Sequence, residues 1–527
     1  MVGPSPKHPP FGATEADGAT EADAATEADG ATEVHGATGG QHEPVAPPKH
    51  AAGSVAQTPT HPKEPTMSTL LVINARLITV PAGTDDPGYI EHGWMLVRDG
   101  RVAAVESGDA PAATRAEADE VLDVAGKFVA PGFVSSHSHL FTSGLRGLGA
   151  NETLYGWCDS MLGFTAHLSP EDMYWSTLHG SLDFLANGVT TAYNFTDPLQ
   201  AWESMVDGKR LGGDAPLREI EYHTRQADGC LDAGLRFVDA IGMDVSTGTD
   251  EEIFERFAAE VAHTRSLDAD LALGVSIMGQ VQWSPRPEAA ELEVEAMRRF
   301  GVTNQAHFLE SPEAVPLQQA KFAMYRDAGA LGPDMMFGHF IQTTEEIIRT
   351  TAEHGSSMSW QPASNGRLAS GVALVPEMLE LGMGVGMGLD DQACTDIADP
   401  WGNMRAGIFM QRARTKDPMS MTPERVLRLH TLGGAQILGV ADRVGSLEVG
   451  KFADFVVVDP RTPDVGPLWH PVRSYVLSMS LRNLTQVYVG GVLVSEDGRS
   501  TNPLAEEASA RIHTDLPARA AQHGHPR

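Results

Sequence analysis

Cysteine, basic residues and long apolar runs are all scarce in this chain. Three cysteines, Cys158, Cys230 and Cys394, stand in 527 residues without paired or zinc-finger spacing. That pattern excludes a disulfide framework and leads us to expect a reducing cytoplasm. Lysine and arginine total 38 against 70 aspartates and glutamates, a formal charge of −32. Such an excess repels polyanions, which argues against a nucleic-acid surface and favours a neutral or cationic small substrate. No apolar run approaches the ~20 residues that span a bilayer, so no membrane segment is expected. Hydrophobic residues still make up 42% of the chain, enough for a large core.

The first 66 residues lack something different. The hexad GATEAD at 12–17 recurs at 18–23 and then as AATEAD and GATEVH, with Pro-rich sequence as far as Pro65. It carries no large aliphatic side chain, so burial cannot offset chain entropy and residues 1–66 are expected to form a disordered tail. A basic start and apolar centre, the marks of a secretory signal, are missing too. Met67 opens MSTLLVINARLITV and is an alternative point of translation start. At the other end, 504–527 is polar and expected to fray as a C-terminal tail.

Between the tails, 67–129 and 451–503 read as short strands punctuated by turns, each flank too short to bury a core alone. The central stretch, 130–450, alternates apolar runs with segments of helical spacing such as DEEIFERFAAEVAHTRSL. The runs are FVSSHSH, VTTAYNF, RFVDAIG, LALGVSI, TNQAHFLE, MMFGHFI, SSMSWQP and VGMGLDD. Eight strand-helix repeats predict a (β/α)8 TIM-like barrel. The connection from Phe141 to Pro170 is longer than a βα turn needs and is expected to build part of a pocket wall.

Five polar residues end these runs: His137, His139, His307, His339 and Asp390. On parallel strands of one barrel they converge at the carboxyl-end face. His137 and His139 are two apart, so the strand period points both imidazoles to one side. A lone histidine among apolar residues is more often a core or capping group. The constellation is what points to a metal, and three imidazoles with one carboxylate suit zinc, iron(II), manganese or cobalt with room for a water.

These residues resemble the amidohydrolase superfamily, within it the cytosine deaminase and triazine chlorohydrolase-like branch. The resemblance runs from about Leu70 to Val494 through INARLITV, PGFVSSHSH, LANGVTTAYNF, HFLE, GHF, QPASNGRLASG, GLDD and GSLEVGKFADFVVVD, in family order. It implies a small β-sandwich formed from both flanks, a small-molecule substrate and a homo-oligomer, dimer or higher. Relatives with two metals bridge them by a lysine after the fourth strand, and LALGVSIMGQVQWSP has none. The expectation is therefore one divalent metal per chain, zinc first, held by His137, His139, His307 and Asp390, with His339 beside the water. Asp390 then accepts the water proton, hydroxide attacks an electrophilic carbon, and Glu310 matches the glutamate that carries a proton to a ring nitrogen and leaving group. Taken alone, Glu310 would read as a solvated carboxylate opening a helix.

Departures from the branch concern substrate contacts. Where many deaminases carry a histidine after the fourth strand, this chain offers Gln280, Gln282 and Trp283. Gln361 replaces the usual Cys or Asn before Pro362, followed by the typical Ser364, Asn365 and Leu368. Asp391 replaces a glycine, either contacting an amine or guanidine-like group or capping a helix. Trp157, Trp283 and Trp401 are candidates for stacking on a flat ring or for plain packing. We take Gln282, Trp283, Asn365 and Asp391 as substrate-binding and Glu310, His339 and Asp390 as catalytic. The expected activity is an aminohydrolase on an N-heterocycle. The alternatives are hydrolytic dechlorination, N-dealkylation, or hydrolysis of a urea, carbamate or amide; a non-catalytic scaffold is the remote one.

Overall fold

The computed structural model describes residues 69–206, 209–210 and 216–523. The expected 1–66 tail lies outside the described residues. The leading flank supplies five strands: β1 (Thr69–Ile78), β2 (Tyr89–Arg98), β3 (Arg101–Ser107), β4 (Glu120–Asp123) and β5 (Phe128–Pro131). The barrel follows with β6 (Phe133–Ser138), β7 (Val189–Phe195), β8 (Arg236–Gly242), β9 (Ala272–Gly279), β10 (Thr303–Phe308), β11 (Met335–His339), β12 (Ser357–Trp360) and β13 (Gly384–Met387). The trailing flank adds β14 (Phe455–Val458), β15 (Leu484–Val489), β16 (Val492–Glu496) and β17 (Arg499–Ser500).

All eight barrel strands pair in parallel, in chain order from β6 to β13. Closure comes at the site itself: Ser138 bridges to Asp390, and the Asp390 N–H donates to His137 O at 3.0 Å. Both faces of such strands are covered, which is why β7 and β8 are buried at every position although their sequences do not alternate. Helices on the outside start at strong caps. Ser169 and Asp172 form a capping box ahead of the helix Pro170–Ala186, and Thr249 and Glu252 do the same for Asp250–Ser266.

The two flanks together form one nine-stranded sheet. Its order is β17-β16-β15-β14-β5-β1-β2-β3, with β4 on β1. The far edge curls back: Val102 N–H donates to Lys451 O at 2.9 Å and Ala453 N–H to Gly100 O at 2.8 Å, just ahead of β14. The curled sheet joins both flanks, as expected, around a core that includes Val72, Leu77, Met95, Val129, Phe455 and Val457.

The C-terminal tail expectation is overturned over most of its length. Ala505–His523 is a helix whose buried Ala508, Ile512 and Leu516 recur every four residues. It packs on the helix Pro170–Ala186 and on the 3₁₀ turn Leu140–Leu145 that follows His139. A Cβ on Gly144 would lie 2.3 Å from Leu516 Cδ1 and 3.0 Å from Ile512 Cγ2, so a larger residue there would have to displace these side chains. No helix among the described residues is long and apolar enough to cross a membrane, and all three cysteines are buried and free.

Candidate metal centre

His137 sits at the end of β6 with no exposed surface. Its ring fits because two neighbours are glycines: a Cβ on Gly338 would lie 2.8 Å from His137 Cε1, and one on Gly388 2.7 Å from His137 Cβ. His137 Nδ1 is 2.6 Å from Gln305 Oε1, while its Nε2 is buried without a hydrogen-bond partner. His139 stacks on Phe195 at 4.9 Å, and its Nε2 faces His307 Nε2 at 2.9 Å. Asp390 Oδ1 lies 3.5 Å from His137 Nε2 and 3.8 Å from His139 Nε2.

Candidate ligand atoms of His137, His139 and His307 all fall within 4.8 Å of one another, as do those of His137, His339 and Asp390. Nitrogen and carboxylate donors converging on one point, with a buried Nε2 left over, fit a divalent metal. Electrostatics agree. Burial, and then the neighbouring imidazoles, hold His137 and His307 well below the ordinary imidazole range. Burial draws His139 down to about 4, against the pull of Asp390. These shifts favour the neutral ring, the form in which imidazole binds a metal.

Two of these residues hold unusual backbone. His339 and Asp390 both have a φ of 64°, a left-handed conformation costing side-chain-bearing residues about 1–2 kcal/mol. His339 is held from two sides: its N–H donates to Gln361 Oε1 and its Nδ1 lies against Asn365 Oδ1, both at 3.0 Å. Asp390 Oδ2 accepts the Ser364 hydroxyl and lies 3.9 Å from His339 Nε2. Glu310 lies beside this group, Oε1 3.5 Å from His339 Nδ1 and Oε2 without a partner. Burial lifts its carboxyl to about 7, against the pull of His339 and helped by Asp390.

The sequence-derived substrate residues separate here. Trp283 reaches the site, its ring 5.5 Å from that of His307. Gln282 is buried and its Oε1 faces the Leu309 N–H at 3.5 Å, steadying the chain between His307 and Glu310. Asn365 serves His339. Asp391 caps a helix, its Oδ1 accepting the Cys394 N–H at 2.6 Å, yet its Oδ2 is buried and unpartnered. Burial and adjacent Asp390 push its carboxyl well above the usual range. Of the other tryptophans, Trp157 donates to Ala393 O at 3.2 Å, and Trp401 packs edge-on against Phe133, 4.9 Å away at the opposite end of β6 from His137. The long connection does wall the site: buried Tyr155, on its helix Leu154–Thr165, lies close to Trp283 and Glu310.

Sequence reasoning missed Gln305, Tyr155 and the role of Gln361. Gln305 had a usable signal, since it stands two residues before His307 and the strand period puts both inside the barrel.

A family model described as the amidohydrolase family matches residues 128–494. A 5-methylthioadenosine/S-adenosylhomocysteine deaminase of Syntrophobacter fumaroxidans is 29% identical over 84% of this chain and 96% of its own length. A 5'-deoxyadenosine deaminase of Methanosarcina mazei is 26% identical over 85% of this chain and 100% of its own. Among solved structures, a zinc-bound adenosine deaminase of Xanthomonas campestris superposes with a TM-score of 0.73 at 21% identity, over 86% of this chain and 99% of that one. The zinc complex of atrazine chlorohydrolase from Arthrobacter aurescens gives 0.72 at 19%, over 85% and 100%. The matched span covers the whole barrel with its converging histidines, and the chain belongs to the amidohydrolase family.

Proposed function

We propose that this amidohydrolase is a zinc-dependent aminohydrolase that releases ammonia from the amino group of an adenine-type ring in a small nucleoside-like substrate. The observation that carries this is Glu310: a buried carboxyl beside His339, one oxygen unpartnered, poised near neutrality to exchange a proton. The deaminase names of relatives that align along more than four-fifths of the chain support the substrate class.

His137, His139, His307 and Asp390 would hold one divalent ion, which when bound would supply Lewis acidity and lower the pKa of a water. Asp390 accepts the water proton, the Ser364 hydroxyl keeping its Oδ2 in place. His339, oriented by Asn365 and Gln361, presents Nε2 toward the developing tetrahedral centre. Glu310 delivers its proton to the ring nitrogen, the proton taken by Asp390 passes to the departing amino group, which leaves as ammonia, and the new hydroxyl returns a proton to Glu310. Trp283 and Tyr155 flank the flat ring, Gln282 steadies the loop behind it, and the free Oδ2 of Asp391 accepts from a substrate N–H. A single ion is supported by β9, which carries no lysine to bridge a second. A homo-oligomer in the cytoplasm completes the proposal, supported by exposed Phe409, Met419 and Trp469 and by three free thiols.

The test is purified protein with adenosine derivatives, aminated pyrimidines, pterins and chlorinated or alkylated triazines, reading ammonia, chloride, alkylamine and product mass. Ammonia from the adenine nucleosides supports the proposal; chloride or alkylamine release, with the nucleosides untouched, overturns it. Metal analysis returning two tightly held ions per chain would refute the single-ion site.

A further inference from the structure

We propose that Gln305 is a positioning residue for His137, at one end of a buried amide and hydroxyl relay that also holds His339. This rests on the metal-centre reading above and extends it to residues that touch no substrate.

The hydrogen-bond donors at its two amides are fixed by chemistry. Gln305 Nε2 lies 3.0 Å from Ser136 O, a backbone carbonyl that can only accept, so the amide nitrogen must face it. Its second hydrogen points toward Met336 Sδ at 3.9 Å. The other end of the amide, Oε1, is thereby turned to His137 Nδ1, 2.6 Å away, and can only accept. His137 must carry its proton on Nδ1, which leaves the lone pair on Nε2, the nitrogen aimed at the metal position. One side chain thus sets both the tautomer and the ring orientation of a ligand.

The same logic runs through Gln361. Its Oε1 accepts the His339 N–H, so its Nε2 donates to Ser359 Oγ at 2.7 Å. Ser359 Oγ in turn pairs with Ser136 Oγ at 2.6 Å, a bond in which either hydroxyl can donate. Ser136 therefore joins the two amides, one through its carbonyl and the other through its hydroxyl. The relay crosses β6, β10 and β12 and reaches β11 through the backbone of His339. Gln305, Ser136, Ser359 and Gln361 are all at least 99% buried, so water cannot substitute for a missing member. A neutral amide, where a carboxylate would also serve, holds the ring without adding negative charge next to the ion.

The experiment uses the full chain, comparing wild type with Gln305→Leu and Gln305→Glu. Zinc affinity is read by competition with a chromophoric chelator in the absence of substrate, and the visible spectrum of the cobalt(II) form is recorded. Gln305→Leu keeps the volume and loses the acceptor; it should weaken zinc by about 10–100-fold and alter the cobalt bands. Gln305→Glu restores an acceptor and should bind zinc at least as tightly as wild type. Wild-type affinity and spectrum in Gln305→Leu would overturn the proposal, as would equal losses in both variants, which would mean packing alone. Should Gln305→Leu fail to fold, Gln305→Glu decides: retained affinity supports the proposal and a tenfold loss overturns it. A wild-type chain that binds no zinc or cobalt would instead refute the metal-centre reading itself.

Discussion

Two buried groups of charge in this protein are built to opposite standards. Where the barrel meets the end sheet, Arg236 grips Asp454 through Nε at 2.7 Å and Nη2 at 3.0 Å, and Asp454 Oδ1 also accepts the Gly490 N–H. The guanidinium lies 3.6 Å over the ring of Phe452, with its remaining arm on Asp270 O. At the metal centre, His137 Nε2, His307 Nδ1, Glu310 Oε2 and Asp391 Oδ2 are buried with no partner, and two backbones are left-handed. Buried polar atoms are normally paired. A satisfied group reads as architecture; an unsatisfied one, held in a strained frame, reads as a place kept for a ligand.

The largest expected effect tests the unsatisfied side. Glu310→Gln should fold and keep its metal while losing about 10²–10⁴-fold in turnover, the usual worth of positioned proton transfer. Steady-state kinetics with metal analysis on the same preparation checks this. Near-normal turnover would return Glu310 to a helix-opening carboxylate and leave its free oxygen without a role.

The satisfied side predicts the reverse pattern. Arg236→Leu strands the buried Asp454 and should cost about 3–5 kcal/mol in a urea titration, while the folded fraction keeps wild-type zinc affinity. A cost near that of a surface pair, about 0–1 kcal/mol, would mean that full hydrogen bonding does not mark a structural charge here.

What the sequence revealed follows the same division. The eight strands and the paired histidines were legible because each is a local pattern, an apolar run or a two-residue period, whereas Glu310 was singled out only through the family resemblance. Gln305 and Gln361 were not read as supports because their partners lie on other strands, and a glutamine inside a strand gives no sign of which atom it faces. That the two flanks join was expected only through the resemblance, since contacts such as the bridge from Arg101 to Phe452 link residues far apart in the chain. The C-terminal helix is different: Ala508, Ile512 and Leu516 already show helical spacing, but sparse apolar residues and Pro517 disguised it. Leu516→Ala should cost about 2–3 kcal/mol, toward the low end for a buried leucine, measured by thermal melting. A loss within the range of a surface substitution would restore the frayed tail.

A third buried group could break the comparison, because it is unsatisfied yet stands among the outer helices. His223 on the helix Glu221–Ala233 places Nε2 3.4 Å from Asp239 Oδ2 and Nδ1 3.9 Å from Glu260 Oε1, and both ring nitrogens lack hydrogen bonds. Here opposite charges face one another, so a proton can do what an external cation does between like imidazoles at the metal centre. Burial lifts the Glu260 carboxyl from 4.5 to about 8, although His223 pulls it down. Burial lowers His223 as well, but Asp239 and Glu260 outweigh it and raise it above 6.5. For Glu260 the folded state keeps a proton that the unfolded chain has lost, so stability falls as pH rises from about 4.5 to about 8 and levels off above. His223 acts in the same direction: its stabilisation is complete below 6.5 and disappears as pH climbs through the raised value. Melting temperature should therefore decline across that window, and Glu260→Gln should flatten the decline without touching zinc affinity. A slope that follows added zinc rather than pH would make this cluster a second metal site, and missing partners would then mark ligands wherever they occur in the chain.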